Sequence, residues 1–441
     1  MRIESQSPST VQRNDVTDLE PTLLPFCGLQ FAQRLSGADG LGRVIGPPSD
    51  FETSEEALVY VQDRTHNAVR LEIEDDGDAL RFATARGLLD GWRADGTLLA
   101  DDNPSYYVYD QSFDDFGVRR TRRGVFGLVP IDAPDICVLP HEETWEDNRL
   151  RRAQLLHDLN ASISPIFLIY DSPESRSVLD AVTHRAPDAE GFDESGNTHR
   201  LWQVADPDEV ERVQRAMQGR HYYIADGHHR YEAARIFHDE ARRADTGLIL
   251  ACCVEASDPG IVVRPIHRLV YHAGTAEWHA ARSTVERWFE VSSEPVGGRD
   301  GVTLLRSLPD DDLPVAGMIV DNGETFVTVK LRSWEVTGYE MGDEKPALRL
   351  DVSVMTDLLI HQALGIDPQQ DETELGYIND ANDVLTATRE GSAGVGILLR
   401  PVRLSQVLAV ARAHGRVPAK STSFVPKVPI GLVMHAFASD G

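Results

Sequence analysis

The longest unbroken apolar run in this chain is Leu248-Ile249-Leu250-Ala251-Cys252-Cys253-Val254, seven residues in all. That is the length of a buried strand and falls far short of the roughly 18 residues that cross a bilayer. A chain of 441 residues with 41% hydrophobic content must therefore build its core from many short elements, enough for two or three domains. The first twenty residues are polar and lack the apolar centre of a signal peptide, so a flexible tail over 1–20 and a soluble, cytoplasmic protein are expected.

Periodicity and turn residues predict an α+β (mixed α/β) fold in two closely packed parts, a core over 21–272 and a smaller α+β unit with a C-terminal α/β segment over 273–441. Helices are predicted over Phe82–Asp95, Asp147–Asn160, Asp208–Gln218, Glu277–Phe289, Val354–Leu364 and Leu404–Ala413. Strands are predicted over Tyr106–Phe113, Gly124–Ile131, Ile166–Tyr170, His221–Ala225, Ala316–Val320, Thr325–Leu331, Gly394–Leu399 and Gly431–His435. Asp114-Asp115-Phe116-Gly117 reads as a hairpin turn, His184–His199 as a polar excursion, and Gly40-Leu41-Gly42 as a flexible loop able to act as a lid.

The formal charge is −28, from 71 acidic against 43 basic side chains. Such a surface repels phosphate backbones and anionic lipid, so neither nucleic acid nor membrane is an expected partner, and a homo-oligomer stays open. Cys27, Cys137, Cys252 and Cys253 form no C-x-x-C pair and read as reduced, structural residues.

Chemistry concentrates where the strand His221–Ala225 meets Asp226-Gly227 and a helix beginning at His228-His229-Arg230. A strand–turn–helix junction offers unpaired backbone N–H groups and the positive end of the helix dipole, which favours an anion. Gly227 permits the turn and close ligand approach, His228, His229 and Arg230 add donors, and Asp226 can cap, orient a histidine or hold a divalent cation. Taken singly, each has a plainer explanation: an N-cap for Asp226, a surface charge for Arg230. Zinc ligation by His228 and His229 is disfavoured, because helix neighbours point about 100° apart.

The run Asp226-Gly227-His228-His229-Arg230-Tyr231-Glu232 resembles the signature of domain-of-unknown-function family 1015, itself similar to the ParB/sulfiredoxin-like superfamily and its nucleotide-dependent free-serine kinases. Further blocks in the same order extend the resemblance along nearly the whole chain. They include Pro25-Phe26, Asn67-Ala68-Val69-Arg70-Leu71, Leu139-Pro140-His141-Glu142, His267-Arg268-Leu269, Leu350-Asp351-Val352 and Lys420-Ser421-Thr422. Departures fall at Cys27, Gln30, Ser49, Glu143 and Thr356, the last standing where the family usually has His. The resemblance implies a ParB/sulfiredoxin-like core with an additional C-terminal α/β part. His228 occupies the place of the sulfiredoxin cysteine, so sulfinic-acid reduction is not expected.

Phosphoryl transfer needs charge neutralisation and a carboxylate near the attacking oxygen. Glu142 and Asp50 are the candidates for the base, with Asp226 as orienting carboxylate and Asp226 and Asp50 as Mg²⁺ ligands. Gly227, His228, His229, Arg230, Arg70, His141 and Lys420 are the candidates for phosphate or nucleotide binding. The function this implies is a Mg²⁺-dependent small-molecule kinase making O-phosphoserine from free L-serine, with ATP or ADP as donor. A nucleotide-binding regulatory module or hydrolytic switch is the alternative.

Overall fold

The computed structural model describes residues 23–33, 40–47, 60, 64–72, 80–131, 138–271, 275–339, 342, 345–368 and 374–438. The tail over 1–20, Cys137, Ser49 and Asp50 lie outside the described residues.

Two sheets form the frame of an α+β fold. The first contains β1 (Tyr106–Asp115), β2 (Val118–Pro130), β3 (Val138–Leu139), β4 (Ile166–Tyr170), β5 (Ala189–Phe192), β6 (Thr198–Val204), β7 (Tyr222–Asp226) and β8 (Leu248–Glu255), in the spatial order β3-β7-β4-β8-β2-β1-β6-β5. It is mixed: β7 runs parallel to β3 and β8 parallel to β4, while the remaining pairs are antiparallel. The long apolar run becomes β8, held between β4 and β2. A central strand covered on both faces needs a continuous apolar sequence rather than an alternating one. Cys252 and Cys253 consequently enter two different core clusters on opposite faces, and both are free thiols.

The β1–β2 hairpin extends further than predicted, by two residues on β1 and by six on β2, to the pair Asp115 and Val118. Its two turn residues, Phe116 and Gly117, take φ of 52° and 82°, a turn whose twist matches that of the flanking strands. The expected polar excursion over His184–His199 is corrected, because it contains β5. This edge strand buries only Gly191, so it shows no alternating apolar signal.

The glycine stretch read as a lid is corrected too. Leu41–Arg43 forms a single 3₁₀ turn pressed on β5. A Cβ on Gly40 would lie 1.9 Å from the Glu190 carbonyl oxygen, and one on Gly42 1.5 Å from that of Phe192. The segment is fixed by backbone contact.

The second sheet is antiparallel throughout: β9 (His267–Val270), β10 (Phe289–Pro295), β11 (Val315–Val320), β12 (Thr325–Leu331), β13 (Leu375–Ile378) and β14 (Val395–Leu399), in the order β10-β12-β11-β14-β9-β13. One apolar cluster joins the two sheets, taking Phe167 and Val254 from the first and Met318 and Val395 from the second. The predicted helix over Val354–Leu364 begins earlier, as one α turn at Asp351–Val354 continuing into a π-helical stretch over Met355–Ala363.

After the second sheet the chain returns to the first unit. Val417 bridges Glu142, and Ser423–Val425 pairs antiparallel with Val262–Arg264. Of the strand expected over Gly431–His435, only His435 lies in a ladder, pairing with Ser162 while Ala436 pairs with Ala161. Gly431, at φ 81°, interrupts extended backbone there. Met434 instead exchanges hydrogen bonds of 2.8 and 2.9 Å with Leu29.

Replacing Gly42 with Ala should destabilise the protein by about 1–3 kcal/mol, the usual cost of overpacking. Urea denaturation measures this, and a flexible lid would instead tolerate the added methyl group.

Candidate active site

The end of β7 and the start of α2 (His228–Ala241) form the predicted junction, with α1 (Glu146–Leu159) packed alongside α2. Gly227 sits between them at φ 97°, a conformation that L side chains rarely adopt. The helix start has no side-chain cap.

Asp226 is occupied on both oxygens. Lys427 Nζ donates to Oδ1 and Arg230 Nη2 to Oδ2. Burial disfavours the charged form of Asp226, but Lys427 and Arg230 outweigh it and hold the carboxyl well below the usual carboxylate range. Arg230 also donates from Nη1 to Ser164 Oγ at 3.0 Å and to the Pro165 carbonyl. The sequence offers Asp226 as cap, orienting carboxylate or cation ligand, yet the helix start carries no side-chain cap and two cations already neutralise the carboxylate. It does not fit a resident Mg²⁺ ion, and among the described residues no group of three or more His, Cys, Asp or Glu could hold a metal.

His228 and His141 meet edge to face, with ring centroids 4.6 Å apart, and both are buried. The His141 backbone N–H donates to His228 Nε2 at 3.4 Å, so the proton of a neutral His228 ring sits on Nδ1. His141 Nε2 lies 3.0 Å from Thr422 Oγ1. Burial pushes His141 down to about 4 and His228 well below its ordinary value. His229 faces another way: its Nε2 accepts from the Trp145 backbone N–H at 3.0 Å, tying α2 to the residue that precedes α1.

Glu142 is half-buried beneath the returning C-terminal segment. Its carboxylate accepts from the backbone N–H groups of Lys420 at 2.7 Å, Ser421 at 3.2 Å and Thr422 at 3.3 Å, and from Thr422 Oγ1 at 3.2 Å. Burial pushes the Glu142 carboxyl up, and these donors offset it only in part. Lys420 therefore meets the site through its main chain at φ 57°, while its Nζ lies 6.0 Å from the Trp145 ring centroid.

These elements border a cleft of about 870 Å³ between the two units. Glu142, Trp145, Arg149 and His228 line it from the first unit, and Arg268, Ser353, Thr356 and Tyr377 from the second. Arg416 also lines it, its Nη1 donating to the Pro140 carbonyl at 2.8 Å. Arg70 is elsewhere, in the turn Ala68–Leu71, donating from Nε to the Arg64 carbonyl at 2.8 Å.

Of the residues expected from the sequence, the fold brings Glu142 and His228 to one cleft with His141 behind them. It places His229, Arg230 and Asp226 in the supporting frame, and Asp50 is outside the described residues. Sequence reasoning missed Trp145, Arg149, Ser353, Tyr377 and Arg416, which carry no local motif. Lys427, which carries no motif of its own, is separated from Asp226 by 201 positions.

The site thus joins an uncapped helix start, a neutral histidine and a half-buried carboxyl within an α+β frame. The family model described as "Protein of unknown function (DUF1015)" matches residues 23–353, and the chain belongs to that family. No curated protein matches it. Among solved structures it is similar to a conserved hypothetical protein from Pyrococcus furiosus, at 13% identity and TM-score 0.37, covering 69% of this chain and 93% of that one. It is also similar to a free serine kinase in complex with AMP, at 11% identity and TM-score 0.37, covering 70% and 92%. A third is SbnI with C-terminal truncation from Staphylococcus aureus, at 10% identity and TM-score 0.36, covering 69% and 84%. Among the described residues no helix is long and apolar enough to cross a membrane.

Asp226→Asn removes the charge shared by Lys427 and Arg230 and should cost about 3 kcal/mol of stability at neutral pH. Because the folded-state value is depressed, the stabilisation is complete above the ordinary carboxyl value of 3.8 and is lost as pH falls through the lower, folded one. Urea denaturation of both proteins across pH should show the difference shrinking only in that acidic range.

Proposed function

We propose that the cleft binds a nucleotide and transfers a phosphoryl group to the hydroxyl of a small metabolite, free L-serine being the acceptor that the sequence resemblance implies. The observation that carries this reading is the convergence of Glu142 and His228 on one cleft of about 870 Å³. That volume is in the range of sites that hold drug-sized ligands.

In this mechanism the α2 start and the His228 Nδ1–H bind phosphoryl oxygens. Glu142, its carboxyl raised by burial, accepts the proton of the attacking hydroxyl. The acceptor oxygen forms its bond to the terminal phosphorus as the bridging P–O bond breaks, and the electron pair leaves with the nucleotide. Arg230, Asp226 and Lys427 keep the junction rigid, and His141 orients His228. Mg²⁺ bound with the donor would neutralise phosphate charge, and Asp226, already occupied by Lys427 and Arg230, would not be among its ligands.

Phosphorus NMR of the protein with Mg²⁺, L-serine and either ATP or ADP should show O-phosphoserine, and Glu142→Gln should slow its formation by about 100-fold or more. Inorganic phosphate as the sole product would favour a hydrolytic switch. No turnover with nucleotide still bound would favour a regulatory module.

An incoming phosphate should raise the depressed histidines toward their ordinary range and draw in a proton. Nucleotide affinity should therefore rise as pH falls from about 6.5 toward about 4, between the ordinary and the depressed values. Calorimetry in buffers of different ionisation enthalpy measures the uptake, and a pH-independent affinity would leave His228 contacting phosphate as a neutral donor only.

A further inference from the structure

Arg268 is a buried cation that forms no ion pair with the described residues. It is 1% exposed, yet among the described residues no carboxylate lies within ion-pair distance of it, and its only hydrogen bond runs from Nη1 to the Ile266 carbonyl at 2.7 Å. Its guanidinium lies over the Tyr377 ring, 4.6 Å from the centroid, and burial lowers its pKa to about 10. A buried cation without a paired anion is costly, and an aromatic face only partly compensates for the lost water.

On the same cleft stand two hydroxyls with no hydrogen-bond partner among the described residues, Ser353 Oγ and Thr356 Oγ1. Thr356 is only 9% exposed. They lie one helical turn apart, where the α turn becomes π-helical, a departure from regular helix that often marks a functional site. Arg149 Nε, across the cleft, is likewise buried without a partner among the described residues. Buried polar groups are normally satisfied, so three such groups and an unpaired cation around one cavity call for an oxygen-rich ligand.

We propose that Arg268, with the hydroxyls of Ser353 and Thr356, forms an anion subsite that takes the carboxylate of the acceptor, making the acceptor a hydroxy amino acid held by its carboxyl end. This rests on the phosphotransferase reading for what reacts, but the subsite itself is a statement about binding. Arg268 also feels the charge of Glu142, so an acceptor anchored there has its carboxylate near the base.

The test is calorimetric titration of the full-length protein with L-serine, with L-serinamide and, separately, with ADP. L-serine should bind, and L-serinamide, which lacks the carboxylate charge, should bind about 10- to 100-fold more weakly. Thr356→Val, nearly isosteric, should weaken L-serine by about 3- to 10-fold and leave ADP unchanged, and Arg268→Gln should weaken it more. Should Arg268→Gln fail to fold, the serinamide comparison and the Thr356 variant still decide. Equal affinity for serine and serinamide overturns the proposal, as does the absence of serine binding. A loss confined to ADP also overturns it, because the anion would then be the nucleotide's phosphate. ADP binding with no effect on L-serine sinks this subsite and leaves the phosphotransferase reading standing, whereas L-serine binding without nucleotide binding does the reverse.

Discussion

The carboxylate of Asp226, gripped by Lys427 and Arg230, is the interaction on which the rest of the site depends. It joins the end of β7, the first turn of α2 and a segment that arrives from the far end of the chain. Two further contacts hold that segment in register: Gln111 Nε2 donates to the Lys427 carbonyl at 3.1 Å and Arg122 Nη2 to that of Pro426 at 2.6 Å. Arg122 is itself buried, with its guanidinium 4.6 Å from the Phe167 ring centroid. Charge pairing at the surface would contribute little. Here the groups are largely shielded from water, so each cation is needed to keep the carboxylate ionised, and the carboxylate to keep both cations in place.

With the C-terminal segment fixed, its backbone becomes part of the site. The N–H groups of Lys420, Ser421 and Thr422 converge on Glu142, and Thr422 Oγ1 lies beside His141. Glu142 is thus placed by a loop whose position is set on the other side of the junction, at Lys427. The opposing effects on these two acids differ in a useful way. Asp226 has full cationic partners and stays ionised, whereas Glu142 has mainly neutral donors and is raised by burial. Two carboxyls whose environments push them apart can take separate roles, one structural and one in proton transfer.

Much of this was legible in the sequence because it is local. The apolar run of β8, the hairpin at Phe116-Gly117 and the strand–turn–helix junction at Gly227 each follow from short patterns with a direct physical cause. Edge strand β5 was not legible, since a strand that faces solvent needs no apolar alternation. The glycines at 40 and 42 were misread because close packing of one backbone on another and free movement both call for glycine. Within the site, the Asp-Gly-His-His-Arg motif correctly marked the junction but not the division of labour. Arg230 and His229 turn inward to the frame because Asp226, Pro165 and Trp145 lie within reach, and no local pattern records those positions.

Arg268 shows what the sequence could not weigh. As one of a pair of donors after Pro265 it resembles any basic residue at a strand boundary. Its meaning comes from burial without a counter-charge, which depends on Tyr377, Ser353 and Thr356 folding around the same cleft. The family match ends at residue 353, and Thr356, Tyr377 and Arg416 line the cleft beyond that point. The junction that would hold phosphate therefore lies within the shared region, while much of the wall facing it is contributed by chain outside that match. Thr356, which stands where the family resemblance expects His, lies on that wall, and Lys427, which grips the junction, also comes from chain outside the match.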